Sequence, residues 1–183
     1  VANVAIGYDI LGFAISRPGD EIVARFNPEL KGLKITAITG TGDKVLPYDV
    51  ELNTAGVAAQ RLLEHLGKSN VGIEMEVHKK MPFGSGLGSS AASAAGAVVA
   101  INELLGAPLS RESLLYFTVL GEVVADGSFH ADNVAPCLVG GITLIRSNES
   151  LDIHHLPVPA NLHVAVIHPE LEILTKDARG VLS

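Results

Sequence analysis

The 183-residue sequence contains no tryptophan, and aromatic residues make up only 4% of it. A core built without large rings has to be packed from aliphatic side chains and alanine, and a hydrophobic content of 48% is enough for one of good size. The single cysteine, Cys137, excludes an internal disulfide and a cysteine-rich zinc site. Such sparing use fits a reducing compartment, so a cytoplasmic location is expected. Positive charge is also scarce: 13 Lys and Arg face 20 Asp and Glu, a net charge of −7. Without a basic stripe, neither nucleic acid nor an anionic membrane is expected as a partner. No secretory pattern opens the chain. The alanine-rich residues 91–101 are too small, and too soon followed by Asn102 and Glu103, to span a bilayer. There is no internal repeat or low-complexity linker. The chain lacks an initial Met and stops just after an apparent helix start at residues 175–179, so it is expected to be a piece of a longer protein.

What the sequence does have is glycine in one telling place. Pro82-Phe83-Gly84-Ser85-Gly86-Leu87-Gly88-Ser89-Ser90-Ala91-Ala92 reads as a strand end, a glycine-rich turn and a helix start. Glycines at alternate positions let the backbone adopt positive φ and approach a bound group without Cβ interference. Ser89 and Ser90 suit a first helical turn, and residues 91–105 contain only Gly96 as a breaker, predicting a helix of about 25 Å. Free N–H groups and a positive dipole end at such a helix start make a phosphate site. The run is neither a Walker A loop, because no Lys follows the last Gly, nor G-x-G-x-x-G. Lys79-Lys80, directly before it, stands where an anion would come, though a solvated strand end explains the pair equally well.

Around this stretch the chain reads as mixed α/β. Residues 1–12 form an apolar loop holding two polar side chains, Asn3 and Asp9, which need partners or local caps. Residues 21–26 and 33–38, joined by the turn at Asn27-Pro28-Glu29, predict a hairpin. Residues 39–43 are a second glycine-containing turn, read as a plain surface loop. Asn53 or Thr54 caps a helix that ends at Gly67. The alternation from Val71 to Val77 is the clearest half-buried strand. Ser110 caps a helix running through Val123, on which Glu122 is the anomaly: between apolar neighbours, a carboxylate needs a cation or hydrogen bonds. Residues 138–146 predict a strand opened by paired glycines, and residues 162–168 and 170–174 two more. His130 and Asp132 suggest a metal pair only weakly, since no third ligand stands near them in sequence. A composition shift over residues 148–159 divides the chain into 1–150 and 151–183.

The eleven-residue glycine stretch resembles the phosphate-binding signature of the GHMP kinases, and three further segments resemble the homoserine kinases among them: VANVAIGYDILG and HADNVAP are similar to their substrate segments, and LTKDAR to the one that supplies an arginine. The resemblance implies a two-domain α/β fold whose N-terminal domain is like the second domain of ribosomal protein S5, with an uncommon left-handed crossover, followed by the start of a truncated C-terminal domain. It implies phosphorylation of the side-chain hydroxyl of L-homoserine by ATP, a step toward threonine. The nucleotide would be bound by Asn53, Lys79, Pro82, Gly84, Ser85, Gly86, Leu87, Gly88, Ser89, Ser90 and Ala91. Ser90 and Glu122 would hold Mg2+, and Asn3, Asp9, His130, Asp132, Asn133 and Arg179 would line the amino acid. A homodimer is expected on the same ground.

The substrate's chemistry agrees with part of this set. Homoserine carries an ammonium and a carboxylate, which suit Asp9 at one end and a bidentate arginine, Arg179, at the other. The base is open: related kinases have an aspartate where this chain has Asn133, which cannot accept a proton at neutral pH. Phosphoryl transfer depends mainly on alignment and charge neutralisation, so a mechanism without a strong base is expected, with Asp132 as the rival base. Other readings are a GHMP kinase for a different hydroxyl acceptor, a catalytically inactive nucleotide sensor and an RNA-binding relative, the last disfavoured by the scarcity of Lys and Arg.

Overall fold

The computed structural model describes residues 1–4 and 7–167. Its elements are β1 (Ala2–Val4), β2 (Gly7–Phe13), β3 (Glu21–Phe26), β4 (Leu33–Thr39), α1 (Thr54–His65), β5 (Ile73–His78), α2 (Ser89–Leu104), α3 (Arg111–Asp126), α4 (Val134–Val139), β6 (Ile142–Ser147) and β7 (Asp152–Leu156). They form a three-stranded sheet ordered β3-β5-β4 and a four-stranded antiparallel sheet ordered β1-β2-β6-β7.

The alternation read from the sequence is realised in β5, where Ile73, Met75 and Val77 are buried on one face. The hairpin expected from residues 21–38 is not formed. β5 lies between its two arms, antiparallel to β3 and parallel to β4. The most apolar face thereby takes the centre of the sheet, and the turn after β3 must cross the start of β5. Gly72 permits that crossing: a Cβ there would stand 2.1 Å from the Asn27 carbonyl oxygen and 2.3 Å from that of Leu30.

Helices α1, α2 and α3 pack on one another, and α2 also lies against β3. Small residues set these approaches. On α2, Ala91, Ala94, Ala95, Ala97, Val98 and Ile101 are buried, and Gly96 faces Ile22 of β3, whose Cγ1 would be 2.8 Å from an added Cβ. On α3, Gly121 faces the Thr54 carbonyl, Ala58 and Ala94. The shortage of aromatics is therefore met by backbones that approach closely, where each lost methylene gap preserves dispersion contacts.

Three further expectations change. Residues 1–12 are not a loop but strands β1 and β2, with Asn3 and Asp9 both at φ 59°. Residues 138–146 are not one strand. The short helix α4 ends at Gly140, whose N–H donates to the Pro136 carbonyl at 2.9 Å, and β6 begins only after both glycines turn the chain at positive φ. Residues 162–167 show no strand pairing. β7, which falls within the composition shift, continues the sheet from β6. The strand expected at 170–174, the helix start at 175–179 and Arg179 lie outside the described residues. Among the described residues no helix is long and apolar enough to cross a membrane.

Candidate active site

β5 delivers the chain to the glycine turn and α2 takes it away, the order expected. Gly84, Gly86 and Gly88 have φ of 60°, 71° and 79°, a left-handed conformation that costs other residues about 1 kcal/mol or more. The serine hydroxyls fix the turn from within. Ser85 Oγ donates to the Pro82 carbonyl at 2.8 Å and accepts from the Leu87 N–H at 3.3 Å, while Ser89 Oγ donates to the Met81 carbonyl at 3.3 Å. Leu87 and Ala91 are buried and anchor the turn, whereas Gly86 is exposed. The N-cap residue of α2, Gly88, has no side chain to cap the first N–H groups, the arrangement that suits an anion at a helix start.

Beneath the turn lies a buried ion pair. Lys79 Nζ contacts Asp20 Oδ2 and also donates to the Ser89 carbonyl and to Ser93 Oγ, both at 2.7 Å. Side-chain exposure is 3% for Lys79 and zero for Asp20. Burial pushes the Lys79 ammonium below its usual range, and the Asp20 carboxylate opposes that shift. An ammonium has three protons, and all three are engaged here. Lys79 was expected to approach the nucleotide; its head group instead sits under the turn. Lys80 pairs with Glu21 on the surface at 2.5 Å. Asp20 escaped the sequence reading. Its only signal is register: Glu21 pairs with His78, so the residue just before β3 faces the residue after His78.

Ser90 and Glu122 meet as expected. Ser90 Oγ donates to Glu122 Oε2 at 3.1 Å, and Glu122 is only 8% exposed. A hydroxyl and a carboxylate at the mouth of a phosphate-type turn are hard oxygen donors of the kind Mg2+ uses.

A second cluster joins distant segments. Asp9 from β2 lies 3.1 Å from His130 Nδ1, and Asp9, His130 and Asp132 bring one ligand-type atom each within 4.8 Å of one another. The third ligand-type residue missing from the local sequence is thus Asp9, from more than a hundred residues upstream. Gly12 makes the contact between segments: a Cβ there would be 1.9 Å from the Asp132 carbonyl oxygen. Asn3 Oδ1 accepts from the Asp9 N–H at 2.8 Å, which holds Asp9 at its positive φ. Left-handed backbone at two non-glycine residues of the paired strands β1 and β2 is strain of the sort that collects at binding sites. Burial, and next the charge of Asp9, raise the Asp132 carboxyl above the usual aspartate range.

Asn133, next to Asp132, connects this cluster to the glycine turn. Its Oδ1 is buried, has no hydrogen-bond partner among the described residues, and would lie 2.5 Å from a Cβ on Gly88. Asn53 is spent on structure: Oδ1 accepts from the Ala55 and Gly56 N–H groups at 3.0 and 3.3 Å, and Nδ2 donates to the Pro47 carbonyl at 2.9 Å. The loop read as plain surface at residues 39–43 comes against the site. A Cβ at Gly40 would meet the Lys79 carbonyl oxygen at 2.0 Å, and Lys44 Nζ lies 5.4 Å from the centre of the Phe83 ring.

Residues 53–141 match the GHMP kinases N terminal domain, and the chain carries that domain in both sequence and fold. Along its full length it is similar to homoserine kinases. The homoserine kinase of Chlorobium phaeobacteroides strain BS1 is 44% identical over 191 residues, covering 100% of this chain and 59% of the relative. That of Chlorobium phaeobacteroides strain DSM 266 is 46% identical over 190 residues with the same coverage. The crystal structure of homoserine kinase from Cytophaga hutchinsonii superposes with a TM-score of 0.92 at 54% identity, over 99% of this chain and 56% of that one. The chain thus spans less than two thirds of the length of the relatives it matches.

Proposed function

We propose that the protein containing this chain transfers the γ-phosphoryl group of ATP to the side-chain hydroxyl of L-homoserine. The observation that carries this reading is the juxtaposition through Asn133: next to Asp132, in a cluster of Asp9, His130 and Asp132 suited to an ammonium group, it stands against Gly88 of a glycine turn suited to phosphates. In this reading the turn from Gly84 to Ser90 and the open N-terminus of α2 bind the phosphates. Asp9 and Asp132 bind the substrate ammonium, and Arg179 grips its carboxylate.

Ser90 and Glu122 fit Mg2+, which when bound would neutralise charge on the phosphate oxygens. The protein's own part is alignment. Asn3 keeps Asp9 in place, Gly12 lets the Asp132 segment close on β2, and Asn133 stands between hydroxyl and phosphate. Holding two reactants in line can remove several kcal/mol of barrier, up to about 7–11 in well-oriented systems. Asn133 accepts no proton at neutral pH, and Asp132 is already spent on the ammonium, so the hydroxyl proton leaves late, toward the transferred group.

The reaction is tested by ADP release from the full-length protein with Mg2+-ATP and L-homoserine, mevalonate or galactose. Turnover with homoserine alone is expected; turnover with another acceptor alone, or ATP binding without turnover on all three, would overturn the substrate assignment. Asp132→Asn separates binding from base catalysis. The expected result is a KM for homoserine raised about tenfold or more and a kcat lowered by less than a hundredfold, since general base catalysis contributes about 10²–10⁴. A kcat several hundredfold down with KM unchanged would make Asp132 the base.

A further inference from the structure

We propose that Asp20, Lys79 and Ser93 form a buried latch that holds the phosphate turn in its receptive shape, and that Lys79 is a positioning residue rather than a ligand of the nucleotide. The inference rests on the reading of residues 84–90 as a phosphate-binding turn.

The latch ties both ends of the turn to one carboxylate. At the entry, Asp20 Oδ1 accepts from the backbone N–H groups of Lys80 and Met81 at 2.8 and 3.0 Å. At the exit, Asp20 Oδ2 accepts from Ser93 Oγ at 2.6 Å and pairs with Lys79 Nζ, which reaches the Ser89 carbonyl in the first turn of α2. Lys79 Nζ also lies 5.4 Å from the centre of the Phe83 ring, so the turn's own side chain covers the cation. Between these ties lie three glycines, the residues that lose most freedom on ordering. A turn left to fluctuate would have to be ordered by each incoming phosphate, at the expense of affinity.

Burying two charges is costly unless the geometry is good and the remaining protons and lone pairs are satisfied. Here every donor of the ammonium is used: two bonds go to Ser89 and Ser93 on the exit side of the turn, and the third to Asp20, whose other oxygen holds the entry side. That commitment also leaves no Lys79 proton for a phosphate oxygen.

The test is equilibrium binding of Mg2+-ATP and of adenosine by the full-length protein and its Asp20→Asn, Lys79→Met and Ser93→Ala variants, with thermal melts to verify folding. The latch acts on phosphates only through the turn. Asp20→Asn and Lys79→Met are therefore each expected to weaken ATP about tenfold or more, and Ser93→Ala about fivefold, with adenosine affinity unchanged within about twofold. The double Asp20→Asn, Lys79→Met variant is expected to bind ATP no worse than the weaker single variant, because the two residues act as a unit. If Lys79→Met alone loses ATP while Asp20→Asn and Ser93→Ala do not, Lys79 contacts the nucleotide and the latch is overturned. A parallel loss of adenosine overturns it too, by reducing the pair to general scaffolding. Should the charge variants fail to fold, Ser93→Ala decides alone: unchanged ATP affinity refutes the latch. A wild-type protein that binds no ATP would instead refute the phosphate-turn reading.

Discussion

Replacing Glu122 with glutamine in the full-length protein is expected to lower kcat about a thousandfold, the scale on which enzymes lose rate when charge stabilisation at the reacting centre is removed. The melting temperature should move little, because the side chain keeps its shape and Ser90 keeps a partner. Glu122 is positioned by its neighbour in sequence. Gly121 lets α3 press against the Thr54 carbonyl, Ala58 and Ala94, so the helix is fixed where the carboxylate emerges toward Ser90. A nearly buried carboxylate destabilises a fold unless something uses its charge. That charge also reaches Lys79, where it favours the ammonium. Part of the rate loss should be recoverable by raising Mg2+ if the weakened step is ion binding. Activity within tenfold of wild type at every Mg2+ concentration, low ones included, would reduce Glu122 to a hydrogen-bond partner of Ser90. Measuring kcat against Mg2+ concentration and the thermal midpoint together separates these outcomes.

The parts of this site that were legible in the sequence are those written locally. The alternation of β5, the glycines of the turn and the alanine-rich start of α2 each follow from the conformational preferences of adjacent residues, and the oddity of Glu122 follows from its immediate neighbours. What was not legible depends on register and on chain reversal over long distances. Asp20 lies 59 residues before Lys79, and only the antiparallel pairing of β3 with β5 sets them opposite each other. Asp9 meets His130 because β2 pairs with β6 across the second sheet. The false hairpin has the same origin: residues 21–38 form two good strands with a turn between them, and nothing within them reveals that a third, more apolar strand from later in the chain displaces their pairing. Of the strand expected from residue 138, Leu138 and Val139 instead end α4, where Val134, Ala135 and Leu138 are buried and the helix packs on α2 and α3, contacts that local sequence does not reveal.

Gly88→Ala is expected to weaken ATP binding and lower kcat/KM together, by about a hundredfold or more, because it combines two faults. The backbone at φ 79° carries a cost of about 1–2 kcal/mol for any residue with a Cβ. The added methyl would also stand 2.5 Å from Asn133 Oδ1, far inside contact distance, and Asn133 belongs to the segment that joins the phosphate turn to the Asp9 pocket. Gly86→Ala supplies the control. Its φ of 71° carries the same backbone penalty, but no atom of the described residues lies within 4 Å of the new methyl, so only the first fault applies and a loss of about tenfold is expected. The difference between the two variants measures the contact with Asn133. Adding Asn133→Ala to Gly88→Ala should recover much of the ATP affinity by removing the clash, while turnover stays low, because the side chain that stands between hydroxyl and phosphate is gone. If turnover returns with affinity, Asn133 is a spacer and the alignment of the two pockets is set elsewhere, by Gly12 and the backbone of Asp132. If neither returns, the left-handed backbone at Gly88 is itself the requirement, and the turn binds phosphate only in that one shape.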